Sequence, residues 1–147
     1  MSLEQLFQSM ERRVFDLGRK LWPSDPAIAW REEAEELSRE LHDRQAALDK
    51  KRHEAKTLRL HVLKQEVRAT MMASQIESCV FTGDQAKAWE HALELDQTRA
   101  ALLQERQHLS SVEGVCRHLE RAIRNRERRL AILQDKLCEV SRLSTSL

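Results

Sequence analysis

Residues 77–95 read ESCVFTGDQAKAWEHALEL, and the fold turns on what Thr82-Gly83-Asp84 does inside that stretch. The chain has three glycines and two prolines, and it pauses here as it does at no other point between Pro26 and the C-terminus. Thr82-Gly83-Asp84-Gln85 has the form of a capping box. Thr82 would accept from the Gln85 N–H, Gln85 would reach back, and Phe81 would staple onto the first turn of a new helix. The spacing therefore predicts the bend of an all-α, long antiparallel coiled-coil helical hairpin.

Working outward, each side of the bend carries an apolar repeat. On the N-terminal side the seam is Trp30, Ala34, Leu37, Leu41, Arg44, Leu48, Lys51, Ala55, Leu58, Val62, Gln65, Ala69, Met72, Ile76 and Cys79. A 3.5-residue period held this long requires a supercoiled helix with a continuous partner. On the other side Ala88, Ala92, Leu95, Arg99, Leu102, Arg106 and Leu109 lead to Val112, Cys116, Leu119, Ile123, Arg126, Leu130, Leu133, Leu137 and Val140. The three-plus-three step across Arg106, Leu109 and Val112 predicts a register slip or kink beside Gly114.

Equal rise along both arms places residue i opposite roughly 165 minus i. The acidic run 31–43 (REEAEELSRELHD) then faces the basic run 121–129 (RAIRNRERR). A parallel pair of straight helices would instead stack like charge on like. The seam positions Arg44, Lys51, Gln65, Arg99 and Arg106 are read as register-setting residues with packed stems. The segment from Arg44 to Arg68 also holds Lys50, Arg52, Lys56, Arg59 and Lys64 with few acids expected opposite, which would suit a phosphate-rich partner.

Upstream, Ser2 is a candidate cap for a short amphipathic helix with Leu3, Leu6, Phe7, Met10, Val14, Leu17 and Leu21 on one face and Trp22 at its edge. Pro23 and Pro26 stop it, and Ser24 or Asp25 can cap the helix that follows. The expected segments are an N-terminal helix over 1–22, a Pro-containing break at 23–26, a first arm at 27–81, a turn at 82–84, a second arm at 85–143 and a flexible tail at 144–147. The N-terminal helix would either pack on the open end of the hairpin or lie on a membrane surface.

Composition limits the function classes. With 33% charged residues and no tyrosine, the chain has the profile of a helix-rich, coiled-coil-like protein. A net charge of +1 gives no whole-molecule attraction to nucleic acid. No apolar run is long enough to span a bilayer and no secretory signal pattern opens the chain, so an intracellular, cytoplasmic protein is expected, nuclear or membrane-peripheral placement being compatible. The odd cysteine count (Cys79, Cys116, Cys138), without metal-like or redox-like spacing, fits a reducing compartment. Phosphate loops, metal-binding pairs and nucleophile elbows are all missing from the sequence. A non-enzymatic chain with no cofactor and no metal is expected.

What remains is surface. Leu60, Leu63 and Val67 lie off the first seam, and Trp89, Leu93, Ala100 and Leu103 off the second. They are expected to form one exposed apolar face that binds other proteins, or a second copy of the chain, by helix–helix packing. Nucleic acid is the weaker alternative, since aromatic residues do not interleave with the basic ones. The terminal Ser144-Thr145-Ser146-Leu147 resembles the carboxylate motif captured by PDZ domains.

The plan of an amphipathic helix, an Asp25-Pro26 break, a hairpin bending near Gly83-Asp84 and an Ala92-Leu93 step is similar to the phage-shock protein A and ESCRT-III-like proteins. That resemblance implies peripheral membrane remodelling with residues 1–22 on the membrane. Helical-hairpin stalks of type III secretion machines resemble the same plan.

Overall fold

The computed structural model describes residues 2–8, 12 and 25–145. A first helix, α1, runs over residues 3–8. Ser2 caps it: Gln5 N–H donates to Ser2 Oγ (3.4 Å) and Leu6 N–H to the Ser2 carbonyl (3.1 Å). Two long helices follow, α2 (Pro26–Thr82) and α3 (Gln85–Thr145), and they form an antiparallel helical hairpin. Pro26 occupies the first position of α2, where no N–H partner is needed. Asp25 caps it, its Oδ1 accepting from Ala27 N–H at 3.3 Å and its carbonyl from Ile28 N–H at 2.9 Å.

The turn is built differently from the capping box the sequence suggested. Gly83 has φ +81°, a left-handed value that a residue with a Cβ adopts only at a cost. Its N–H donates to the Val80 carbonyl (3.2 Å) and the Asp84 N–H to the Cys79 carbonyl (2.9 Å), the paired bonds of a Schellman motif. Thr82 therefore ends α2, with its hydroxyl donating back to the Ser78 and Cys79 carbonyls at 3.1 and 3.2 Å. Asp84 is the cap of α3, accepting from Lys87 N–H at 3.2 Å. Phe81 does not staple anything, being 93% exposed. The expected reciprocal bond between Thr82 and Gln85 is replaced because glycine can enter the left-handed region and close α2 first.

By contact density the chain forms two compact units, Asp43–Arg124 around the turn and a second comprising Met1–His42 with Asn125–Leu147. The inward positions of both helices follow one repeat, written a to g with a and d inward. On α2 every seam position from Trp30 to Cys79 is buried or half-buried, as the spacing predicted, and Ala27 extends the series. On α3 a seam of buried or half-buried positions runs through Ala88, His91, Leu95, Thr98, Leu102, Glu105, Leu109 and Val112 and continues through Cys116 to Val140. That series alternates three and four residues without interruption. Arg99 and Arg106 are exposed and Ala92 falls at a half-buried flanking e position, so the expected seam is corrected by one residue at each of the three, to His91, Thr98 and Glu105, and no slip occurs at Gly114. The misreading had a physical source: Thr98 and Arg99 are both polar, as are Glu105 and Arg106, and hydropathy alone could not choose between neighbours.

With the phase set on both helices, flanking charges pair like position with like. In the unit around the turn, e meets e at Arg52–Glu120 (3.3 Å), Arg59–Glu113 (3.3 Å) and Arg106–Glu66 (2.5 Å), while g meets g at His108–Glu54 (3.6 Å). In the other unit g meets g where Arg129 donates twice to Glu33 (2.9 and 3.2 Å), while Arg126, at a seam d position, donates to Glu40 at g (2.6 Å). Lys136 also lies over the Trp30 ring, 5.4 Å from its centroid. The acidic run at 31–43 thus faces the basic run at 121–129 as expected. Residue numbers add to 172 for each e–e couple and to 162 for each g–g couple, so the pairing axis falls in the turn, close to the expected 165.

The observed limits differ from the expected ones at both ends of the arms. Ser144 and Thr145, expected in the tail, belong to α3. Gly114 occupies an outward f position, where an added Cβ would meet only Arg117 Nη2 at 3.9 Å. Replacing it with alanine removes a helix-interior glycine without a clash. Gly114→Ala should therefore stabilise the protein by about 0.5–1 kcal/mol in urea unfolding. A loss of stability would mean that α3 needs a kink there.

Candidate functional site

The seven residues expected to bind a partner all lie in the unit around the turn, and all are exposed. Their heptad positions follow from the seams. Leu60, Val67, Leu93 and Ala100 are f residues, on the back of their helix. Leu63, Trp89 and Leu103 are b residues, turned from the back toward the e side. A position f points directly away from the a/d seam, so the f residues of α2 and those of α3 face opposite ways across a two-helix pair. The expectation of one continuous face is therefore corrected to two outer stripes, one per helix. Only the b residues come round to a shared side.

Four further large apolar residues in this unit are exposed: Met71, Val80, Phe81 and Val115. Phe81 follows Leu60 and Val67 at f, so the repeat would have exposed it had it not been assigned to a staple. On the e side the two helices leave shallow grooves. One is lined by Ala69, Thr70, Leu102, Leu103 and the Glu66–Arg106 couple. The other is lined by Ala55, Lys56, Cys116 and Arg117 between the Arg59–Glu113 and Arg52–Glu120 couples.

Those couples bear on the basic segment from Arg44 to Arg68. Acids were expected to be few opposite it, but α3 supplies Glu113 and Glu120, and Lys51 Nζ donates to Glu54 Oε2 at 3.0 Å. Lys50, Lys56 and Lys64 remain exposed, without a continuous band of uncompensated charge. His61 Nε2 lies 2.8 Å from Glu105 Oε1 at the seam edge, while Glu105 Oε2 is buried with no hydrogen-bond partner.

Cys116 is buried and Cys79 half-buried, as seam positions require, and Cys138 is exposed. Among the described residues no cluster of three His, Cys, Asp or Glu side chains is placed to hold a metal ion. Likewise no helix among them is long and apolar enough to cross a membrane. Of the N-terminal face, Leu3, Leu6 and Phe7 are exposed on α1. Met10, Val14, Leu17, Leu21 and Trp22 lie outside the described residues, as do Ser146 and Leu147 of the C-terminal motif. Comparison with protein-family models, curated proteins and solved structures returns no match.

The shifted groups sit in ion pairs, one between the arms and one within α2. The hydrogen bond from Arg129 holds the Glu33 carboxyl below its ordinary value of 4.5, outweighing the opposing effect of desolvation, with the charges of Arg129 and Lys136 acting in the same direction. The same bond raises Arg129. Glu54 is lowered chiefly by its hydrogen bond from Lys51. A carboxyl lowered in the folded state stabilises the fold above its ordinary value, and the contribution is lost as pH falls through the lowered one. Arg129→Gln should therefore weaken the protein in urea at neutral pH and make little difference at an acid pH below the lowered value, once the carboxyl is protonated. An equal difference at both pH values would contradict a role for Glu33.

Proposed function

We propose that this protein is a non-enzymatic assembly subunit, a helical hairpin that uses the unit around its turn to bind other proteins or further copies of itself. The observation that carries this reading is the exposure of Leu60, Leu63, Val67, Trp89, Leu93 and Leu103, with Trp89 68% exposed. Scattered surface leucines are ordinary, but a series of large apolar side chains repeating along both outer faces of one unit is the pattern left by a surface that is covered in use. Tryptophan adds an anchor of the kind that dominates helix-packing interfaces.

Position within the repeat supports the same reading. These residues lie outside the a and d positions, so the hairpin closes without them. Their side chains serve neither its seam nor its ion pairs. Proteins bound along such stripes would present their own apolar helix faces, in the manner of coiled-coil and bundle partners.

The test is the pair of changes Leu63→Asp and Leu93→Asp in one chain. Both positions are exposed, so helicity should be unchanged, while solution mass falls or captured partner proteins are lost. An unaltered oligomeric state together with unaltered partner capture would reject this function.

A further inference from the structure

The corrected phase of α3 exposes a second line of residues, at alternating b and e positions: Trp89, Ala92, Asp96, Arg99, Leu103 and Arg106. Their three- and four-residue steps are those of a helix-packing seam. All lie in the unit around the turn, and all but the half-buried Ala92 are exposed. Their order is complementary when reversed about its midpoint. Trp89 then meets Arg106, an aromatic ring against a guanidinium. Ala92 meets Leu103, small against large, and Asp96 meets Arg99, acid against base.

We infer that a second copy of this chain docks here, antiparallel, α3 against α3 about a two-fold axis between Asp96 and Arg99. This inference rests on the assembly reading above and names its partner. Charge decides the occupant. Neither Asp96 nor Arg99 has an ion pair among the described residues, although the neighbouring e-position arginines Arg59 and Arg106 both do. Arg99 lacks a mate within the hairpin because the e residue opposite it is Ala73, by the same register that pairs Arg106 with Glu66. The two-fold supplies both missing partners, twice over, since every contact in such an interface occurs in duplicate. Arg106, held by Glu66 through its edge, can stack its guanidinium plane on Trp89 of the second copy.

The α2 side raises no objection, because the same two-fold sets Arg59 against Val80 and Glu66 against Ala73, with no like charges meeting. A parallel second copy matches less well. It would bring Arg106 beside Arg59 of the other copy and leave Asp96 facing Thr70.

Sedimentation equilibrium of the full chain, alone and with Asp96→Arg, Arg99→Asp or both changes together, tests the inference. The unaltered chain should dimerise. Either single reversal, placing like charges together twice, should weaken the dimer by about tenfold or more. The double exchange, which has the net charge of the original, should recover to within about threefold of it. A chain that stays monomeric at about 100 µM, a weak affinity by the standards of specific interfaces, would overturn the inference. So would a dimer indifferent to the single reversals, or a double exchange no better than either. In each of these outcomes the broader assembly reading stands or falls separately, on the Leu63→Asp and Leu93→Asp variant.

Discussion

The fold depends on phase. Two helices that each repeat every 3.5 residues are joined by a turn that ends one and begins the next, so the seam of α2 and the seam of α3 meet in a single register. Gly83 makes this workable, because its left-handed backbone closes α2 with two hydrogen bonds while Asp84 already caps α3. Once phase is set, most of the flank follows: Arg52, Arg59 and Arg106 meet glutamates e to e, and Arg129 meets Glu33 g to g, while Arg126 reaches Glu40 from the seam itself. Exposed couples of this kind each contribute little in water, so the apolar seam supplies the stability and the charges select orientation and register.

That constraint also decides what is left for function. A two-helix pair buries two of seven positions well and shields two more, which leaves b, c and f in solvent on both helices. In most coiled coils those positions are charged. Here, in the unit around the turn, they include leucine, valine, methionine, phenylalanine and tryptophan. Hairpin closure does not explain them. Proposed contact with other proteins, and with a second copy along α3, accounts for residues the fold itself does not require.

Much of the architecture was legible in the residues. The α2 seam was readable at every position because an apolar side chain marks most of its turns, and Asp25-Pro26 and Ser2 announced their helix starts in a form the structure keeps. The pairing of 31–43 with 121–129 followed from charge and equal rise alone. Less legible were the places where the pattern lost contrast. At 98–99 and 105–106 two polar residues compete for one seam position, at 91–92 apolar Ala92 competes with His91, and only continuity of the period chooses His91, Thr98 and Glu105. The turn contained residues for two capping schemes, and the competition was settled by backbone conformation at Gly83. The division of the apolar surface into two stripes was illegible for a related reason: it depends on the α3 phase, which hydropathy leaves open at these same positions.

The most direct measurement is the distance between spin labels at positions 60 and 107, both f residues of the unit around the turn, in a chain with its cysteines replaced and diluted into an excess of unlabelled protein. Two helices packed at about 10 Å, with labels on their outer faces, give a distribution centred near about 25 Å. A single uninterrupted helix through residue 83 would separate the same labels by about 70 Å. The shorter distance is the one expected from the Gly83 turn, and the longer would remove the seam, the flanking ion pairs and the α3 surface together.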